Sequence, residues 1–162
     1  MKVLGIDPGT ATVGWAVLEQ IKGKTEALAY GHISTSKDLA LEARLQEIRD
    51  DIVKIVKQYA PDAAALEELF FFNNQKTAIS VAQSRGALLL TLADFGLSIA
   101  GYTPLEVKQA LTGYGKADKQ QVQRMAKEIL RLKAIPKPDD VADAIAIALC
   151  HIHHASFMKR RV

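Results

Sequence analysis

The chain has 162 residues, of which 49% are hydrophobic, and these values predict one domain with a substantial core rather than two domains. The formal net charge of +3 is compatible with an anionic partner but does not require one. A single cysteine, Cys150, excludes an intrachain disulfide and is too isolated for a structural zinc site. The sequence shows neither a secretory signal nor a run approaching the roughly 20 apolar residues of a membrane helix, so we expect a cytoplasmic protein without membrane contact.

The first stretch of the chain is a short apolar run that ends in Asp7, Pro8 and Gly9. The run from Val3 to Ile6 predicts a buried strand, because brief aliphatic and β-branched runs fit covered positions of a sheet. Proline cannot donate a ladder hydrogen bond and glycine tolerates positive φ, so strand pairing should stop there. This places the Asp7 carboxylate at the mouth of a cleft, although an aspartate that caps a turn through its own backbone is an alternative.

The next segments predict two strands and a helix. Residues 10–20 and 25–34 alternate loosely and are rich in β-forming residues, which indicates an antiparallel meander. Gly14 inside the first of these strands indicates a bulge or a close backbone approach. From Asp38 onward, apolar residues spaced three and four apart predict an amphipathic helix, which Pro61 ends.

A second short apolar run also ends in acids. The run from Ala63 to Leu66 is followed by Glu67 and Glu68. A strand, a helix and a second strand that returns to the same sheet form a right-handed βαβ unit, in which the two strands are parallel. If this second strand lies next to the first strand of the chain, Asp7 and Glu67 lie side by side at the carboxyl edge, where sites form in open α/β sheets.

The rest of the chain predicts four helices and one strand. These are a long and mostly buried helix at residues 75–95, a strand at 97–103, a short helix from Pro104, a helix after Asp118 and a last helix from Asp140 to about Ser156. Asp118 and Gln121 have the spacing of a capping box. The domain should span residues 1–157, with a basic tail at 158–162.

The last helix carries a further group of acids near its start. Asp140 and Asp143 are three residues apart, which places both on one helical face. Asp139 is the better candidate for the N-cap, and an acid in this turn also suits the helix dipole. Which member of the Asp139 and Asp140 pair would join a site is open, but the spacing from Asp143 favours Asp140.

Convergence of these acids with Asp7 and Glu67 would have a chemical consequence. Two unit charges about 4 Å apart at an effective dielectric constant of about 20 repel by about 4 kcal/mol, so the cluster must take up protons or cations. Ligand sets made of carboxylates suit Mg²⁺ or Mn²⁺ better than zinc. Two such ions can activate a water molecule and stabilise the leaving oxygen of a phosphodiester. The pattern therefore points to a nucleic acid or nucleotide substrate.

Four segments follow one another along the chain: GIDPGT at 5–10, ALEELFF at 65–71, VKQALTGYGKADK at 107–119 and DDVADAIAIA at 139–148. In this order they resemble RuvC, the family of bacterial Holliday-junction resolvases. The resemblance extends over nearly the whole chain. It implies an α/β fold of the ribonuclease H-like kind: a five-stranded mixed sheet, with its first three strands antiparallel and the others parallel, and helices on both faces. It also implies a metal-dependent endonuclease that cuts Holliday junctions symmetrically in recombination and repair, leaving 5′-phosphate and 3′-hydroxyl ends.

The resemblance also implies site residues and partners. The catalytic and metal-binding residues it implies are Asp7, Glu67, Asp140 and Asp143, with two Mg²⁺ ions per site, for which Mn²⁺ can substitute. The DNA-binding candidates are Phe70, which would stack on a base, and the basic residues Lys108, Lys119, Arg85 and Lys76. For the lysines in loops, a merely solvated side chain is the alternative. The implied partners are four-way junction DNA, a second copy of the chain, and the branch-migration helicase complex of RuvA and RuvB.

Other assignments have less support. An actin-like or sugar-kinase domain also begins with a strand and a GIDxGT-like phosphate loop, but it needs a second, duplicated domain. A junction-binding module without catalytic activity is disfavoured by the intact set of four acids. His151, His153 and His154 fit no standard set of metal ligands, so we expect surface or core histidines.

Overall fold

The computed structural model describes residues 1–68 and 75–159, and of residues 75–77 and 158–159 it describes the backbone alone. The elements follow in the order β1 (Lys2–Asp7), β2 (Thr12–Ile21), β3 (Lys24–Ser34), α1 (Leu41–Tyr59), β4 (Ala63–Glu67), α2 (Gln75–Asp94), β5 (Ser98–Tyr102), α3 (Pro104–Thr112), α4 (Lys119–Leu130) and α5 (Asp139–Lys159). None of the described helices is both long and apolar enough to cross a membrane.

The strands form one mixed sheet in the order β3-β2-β1-β4-β5. The pairs β1–β2 and β2–β3 are antiparallel, whereas β1–β4 and β4–β5 are parallel. Lys22 and Gly23 both have positive φ and close the β2–β3 hairpin, as a tight two-residue turn requires. The predicted fold class is therefore confirmed, including the parallel pairing of β1 with β4.

Helices cover both faces of this sheet. The core of one face contains residues of α1 and α2, and the core of the other contains residues of α3, α4 and α5. Along β1, Leu4 and Ile6 belong to the first core and Val3 to the second, because successive side chains of a strand point to opposite faces. By the same alternation, Asp7 points to the face that α5 covers.

Two glycines allow α5 to lie directly on the sheet. A Cβ atom added at Gly5 would lie 2.3 Å from the carbonyl oxygen of Ala144, and one added at Gly14 would lie 1.9 Å from that of Asp140. Of the two alternatives for Gly14, the structure shows the close backbone approach. The irregularity in the β2–β3 register lies instead between Val17 and Leu18.

The ends of two helices differ from the prediction. Helix α1 begins at Leu41 rather than near Asp38. Helix α5 includes Asp139 and continues to Lys159, so the tail predicted at 158–162 begins inside the helix. Residues 160–162 of that tail lie outside the described residues.

The prediction that α2 is mostly buried was wrong. One side packs against the sheet and α1 through Leu88 and Leu92, which are fully buried. On α2, Ile79 and Leu90 keep 63% and 67% of their surface exposed. An apolar composition does not show whether a helix is covered on every side within one chain or needs a second chain to cover it.

We expect Gly14→Ala to lower the free energy of unfolding by about 1–3 kcal/mol or more, because its methyl group would overlap the main chain of Asp140. Chemical denaturation measures this loss. Gly31→Ala is the control, since its methyl group would meet only the Trp15 ring, at 3.1 Å, and that ring can shift. An equal loss in both variants would contradict the role assigned to the close approach of α5.

Candidate active site

Asp7 and Glu67 end two adjacent parallel strands. Ile6 of β1 is in register with Leu66 of β4, so the next residues, Asp7 and Glu67, lie beside each other. Both side chains point to the face that α5 covers, because Ala65, two residues before Glu67, belongs to the core of that face. The sequence thus brings two carboxylates to one point at the carboxyl edge of the sheet.

Glu68 does not share this position. Its side chain lies against Gly101 of β5, and its backbone N–H donates to the Tyr102 carbonyl at 2.8 Å. The side chain therefore turns away from Asp7, as the alternation of an extended strand predicts.

Helix α5 adds two more carboxylates to the same place. The main chain of Asp140 packs on Gly14, and Gly14 is the partner of Asp7 in the β1–β2 register. Asp143 follows one turn later on the same helical face. The first turn of α5 therefore faces the ends of β1 and β4.

The ionisation of Asp7 shows that these acids act on one another. Burial and the negative charges of Glu67, Asp143 and Asp140 together raise the pKa of Asp7 to about 8, although the positive charge of Lys119 opposes this. Burial also raises the pKa of Glu67, and the charge of Asp143 adds to that effect. Four carboxylates from three separate elements therefore share one electrostatic environment.

Asp139 contacts only part of this cluster: its Oδ2 lies 3.8 Å from Nζ of Lys119, and its charge contributes to the raised pKa of Asp143. The Asp139 carboxylate accepts a hydrogen bond from Lys137, which lowers its pKa. Asp139 is the first residue of α5 rather than the predicted N-cap, and its charge is not among those that shift the pKa of Asp7. Asp140 is thus the member of the pair that faces the other acids.

Lys119 supplies the positive charge of this site. Asp118 caps α4 through the predicted capping box, accepting from the Gln121 backbone at 2.8 Å while the Gln121 side chain accepts from the Asp118 backbone at 2.9 Å. This cap fixes Lys119 at the first position of α4, with its Nζ 2.7 Å from Oδ2 of Asp143. Burial works to lower the pKa of Lys119, but the hydrogen bond and charge of Asp143 raise it overall. The ammonium group therefore stays charged and neutralises part of the cluster.

The donor chemistry of the cluster fits a hard divalent cation. Carboxylate oxygens are the ligands that Mg²⁺ and Mn²⁺ prefer, and the pKa of Asp7 is raised first by burial and then by the charges of the other three acids, which Lys119 opposes. Among the described residues, no three acid, histidine or cysteine side chains already stand close enough together to hold a metal ion. Binding of a cation would therefore require the carboxylates to rotate toward one another.

The other predicted DNA-binding residues lie at different places. Nε of Arg85, on α2, donates to the Glu67 carbonyl at 3.1 Å, which holds this side chain at the edge of the cluster. Lys108 is partly buried in α3. Phe70 lies outside the described residues, and the structure describes only the backbone of Lys76.

The histidines of α5 have partners within the protein. The Tyr102 hydroxyl lies 2.9 Å from Nδ1 of His151, and Nδ1 of His153 lies 3.2 Å from the Ala110 carbonyl oxygen. This agrees with the expectation of surface or core histidines.

A set of hydroxyl groups behind Asp7 was not predicted from the sequence. Thr10 was included only in the strand predicted at residues 10–20, yet its hydroxyl contacts Ser80 of α2, and Ser84 contacts the Gly9 carbonyl. The available signal was the spacing of Ser80 and Ser84, which are four residues apart and so lie on one face of the helix.

Comparison with known proteins gives a consistent result. The family model described as crossover junction endodeoxyribonuclease RuvC matches residues 3–151. A protein of that name from Syntrophomonas wolfei is 51% identical over 153 residues, which cover 94% of this chain and 89% of the relative.

Solved structures show the same similarity. The structure of Thermus thermophilus RuvC matches with a TM-score of 0.91 at 36% identity, covering 97% of this chain and 96% of that one. T. thermophilus RuvC in complex with its Holliday junction substrate matches with a TM-score of 0.89 at 33% identity and the same coverage.

We expect Asp7→Asn to stabilise the metal-free protein at pH 8. The folded protein binds the Asp7 proton more tightly than the unfolded chain does, because its pKa rises from 3.8 to about 8. The free energy of unfolding of the wild type therefore falls as the pH rises through that interval. The Asp7→Asn variant keeps this stability, because its amide group does not ionise.

Thermal unfolding in EDTA at pH 5 and pH 8 measures the effect. The melting temperature of Asp7→Asn should exceed that of the wild type by several degrees at pH 8 and by less at pH 5. Asp38→Asn removes an exposed carboxylate and should show no such difference. A variant no more stable than the wild type at pH 8 would argue against a strained charge at Asp7.

Proposed function

This chain belongs to the RuvC family of crossover junction endodeoxyribonucleases, and we propose that it cuts Holliday junctions at the cluster of Asp7, Glu67, Asp140 and Asp143. The family makes it a nuclease of DNA recombination and repair. The observation that supports the proposed site is the pKa of Asp7, raised to about 8 by burial and by the other three acids. Such a concentration of negative charge at the carboxyl edge of a sheet suits a cation-dependent hydrolase.

The four carboxylates would hold divalent cations, which we propose are two Mg²⁺ ions, with Mn²⁺ as a substitute. Such ions, when bound, lower the pKa of the attacking water and neutralise charge on the phosphodiester. The water oxygen forms a bond to phosphorus while the bond from phosphorus to the 3′ oxygen breaks. This leaves a 5′-phosphate and a 3′-hydroxyl group. The Lys119 ammonium, beside Asp143, is positioned to stabilise the charge that develops on the phosphoryl oxygens.

The proposed DNA contacts are four basic residues and one phenylalanine. Lys119, Lys108, Arg85 and Lys76 would contact phosphates, which position a duplex without reading its sequence. Phe70, three residues beyond Glu67, would stack on a base near the branch point. Unstacking a base step costs a few kcal/mol, and the contact between an inserted apolar side chain and the exposed base offsets part of that cost.

We also propose a homodimer that pairs through α2. Ile79 and Leu90 are eleven residues apart, about three helical turns, so both lie on the side of α2 that faces away from the sheet. A two-fold axis through this surface would place two identical sites over two like strands, which accounts for symmetric cutting. The RuvA and RuvB helicase complex is the proposed partner at the junction. The cytoplasm is the proposed location, because bacterial DNA lies there.

We expect Asp7→Asn to reduce junction cutting by at least about 100-fold, since losing one preorganised electrostatic group costs two to three orders of magnitude. Binding of the junction should persist, because the variant keeps the basic residues. A labelled four-way junction and a linear duplex, each with Mg²⁺ or EDTA, provide the assay. Asp38→Asn is the control and should cut the junction like the wild type. Cutting by Asp7→Asn, or equal cutting of the duplex by the wild type, would contradict the proposal.

We expect Leu90→Asp to convert the dimer into monomers, because a buried charge at the pairing surface lacks a partner. Light scattering after size-exclusion chromatography measures the mass. Leu105→Asp changes a similarly exposed leucine, at 62%, on α3 and should leave the mass unchanged. A Leu90→Asp protein with the mass of the wild type would exclude this surface of α2 as the interface.

A further inference from the structure

The loop that follows Asp7 is tied to α2 by hydrogen bonds. The Ser84 hydroxyl donates to the Gly9 carbonyl at 2.7 Å. The Thr10 hydroxyl donates to the Ser80 carbonyl at 2.7 Å and lies 2.5 Å from the Ser80 hydroxyl oxygen. Helix α2 therefore holds this loop from the face of the sheet opposite to the one where the Asp7 carboxylate points.

These bonds lie in the interior, where a missing partner is costly. Ser84 is fully buried, and Thr10 keeps 6% of its surface exposed. Thr35 adds a second layer, since its hydroxyl donates to the Thr10 carbonyl at 2.6 Å and accepts from Nε of Arg44 at 2.8 Å. In a low-dielectric interior, a network with every member paired fixes one arrangement of the backbone.

The loop has little room to adopt another path. A Cβ atom at Gly9 would lie 2.1 Å from the Thr12 carbonyl oxygen, so the turn is tightly closed on itself. A displacement at Gly9 would therefore pass to its neighbours in the chain, and Asp7 is two residues away.

The same helix also holds Glu67. Arg85 directly follows Ser84 and donates to the Glu67 carbonyl. Two consecutive residues of α2 thus fix the backbone beside each of the two carboxylates that the strands contribute.

We propose that Ser84 is a positioning residue, which sets the separation of the Asp7 and Glu67 carboxylates by fixing the loop behind Asp7 to α2. This inference rests on the proposed function, because it gives those carboxylates the task of holding a cation. No three acid side chains of the described residues already stand close enough together to hold a cation, so cation affinity depends on how closely the acids can approach one another. Loss of the hydrogen bond from Ser84 to the Gly9 carbonyl lowers the affinity for a cation more than it lowers the free energy of unfolding.

The test compares two buried hydroxyls of one helix. Ser84→Ala removes the bond to Gly9, whereas Thr91→Val removes a hydroxyl that is 4% exposed and donates at 2.7 Å to Ala87 within α2 itself. The two changes each remove one buried hydrogen bond, but only the first disconnects the loop. We expect Ser84→Ala to raise the dissociation constant for Mg²⁺, measured calorimetrically without DNA, about threefold to tenfold, the usual effect of one hydrogen bond. Thr91→Val should match the wild type.

Cutting assays give a second readout. The Mg²⁺ concentration for half-maximal cutting should rise in Ser84→Ala by the same factor, with unchanged affinity for the junction. Ser84→Cys, which keeps a weak donor of similar shape, should recover part of the loss. If Ser84→Ala fails to fold, Thr10→Val removes the neighbouring hydroxyl without a change in shape, and the same measurements decide.

The outcomes separate this inference from the proposed function. Equal Mg²⁺ affinity in Ser84→Ala and Thr91→Val, with a wild type that binds Mg²⁺ and cuts junctions, would overturn the role of Ser84 alone. A wild type that neither binds Mg²⁺ nor cuts would overturn the proposed function and, with it, this inference.

Discussion

The repulsion among carboxylates that the fold holds together is the constraint on which the rest of the site depends. Asp7 lies at the end of the central strand and is largely shielded from water, and three other acids face it. Burial alone would favour its protonated form, and the neighbouring charges strengthen that preference. Folding therefore opposes ionisation at this point, and the two strands and the helix that carry the acids hold them together against this repulsion. The same repulsion becomes useful when a cation arrives, since the cation then relieves it.

The backbone does most of the positioning. Parallel pairing sets Glu67 beside Asp7, and the absence of a side chain at Gly14 lets the start of α5 rest on the partner strand. Neither arrangement depends on how the acidic side chains rotate. The site thus combines a backbone that the fold holds in place with side chains that can still rotate, which suits the proposed binding of cations and DNA.

Much of the fold could be predicted from the sequence because local patterns and the global arrangement agree. The short apolar runs that end in Asp7 and Glu67 predicted where β1 and β4 end, and the capping box at Asp118 predicted where α4 begins. The four acids were identified as one set partly through their order in the resemblance. Periodicity favoured Asp140 over Asp139 through its spacing from Asp143, but the hydrogen bond from Lys137 to Asp139 could not be predicted from that spacing.

What the sequence did not reveal depends on contacts between distant segments. The exposure of α2 at Ile79 and Leu90 reflects which side meets the sheet. The salt bridge between Lys119 and Asp143 links two helices across a loop, and it has a further consequence. The protein carries its own tethered counterion, which offsets part of the repulsion among the acids when no metal ion is bound. At the proposed cation site, an incoming ion would compete with that ammonium group for Asp143. A divalent ion would compete better than a monovalent one such as potassium, because its attraction to the carboxylates is about twice as strong.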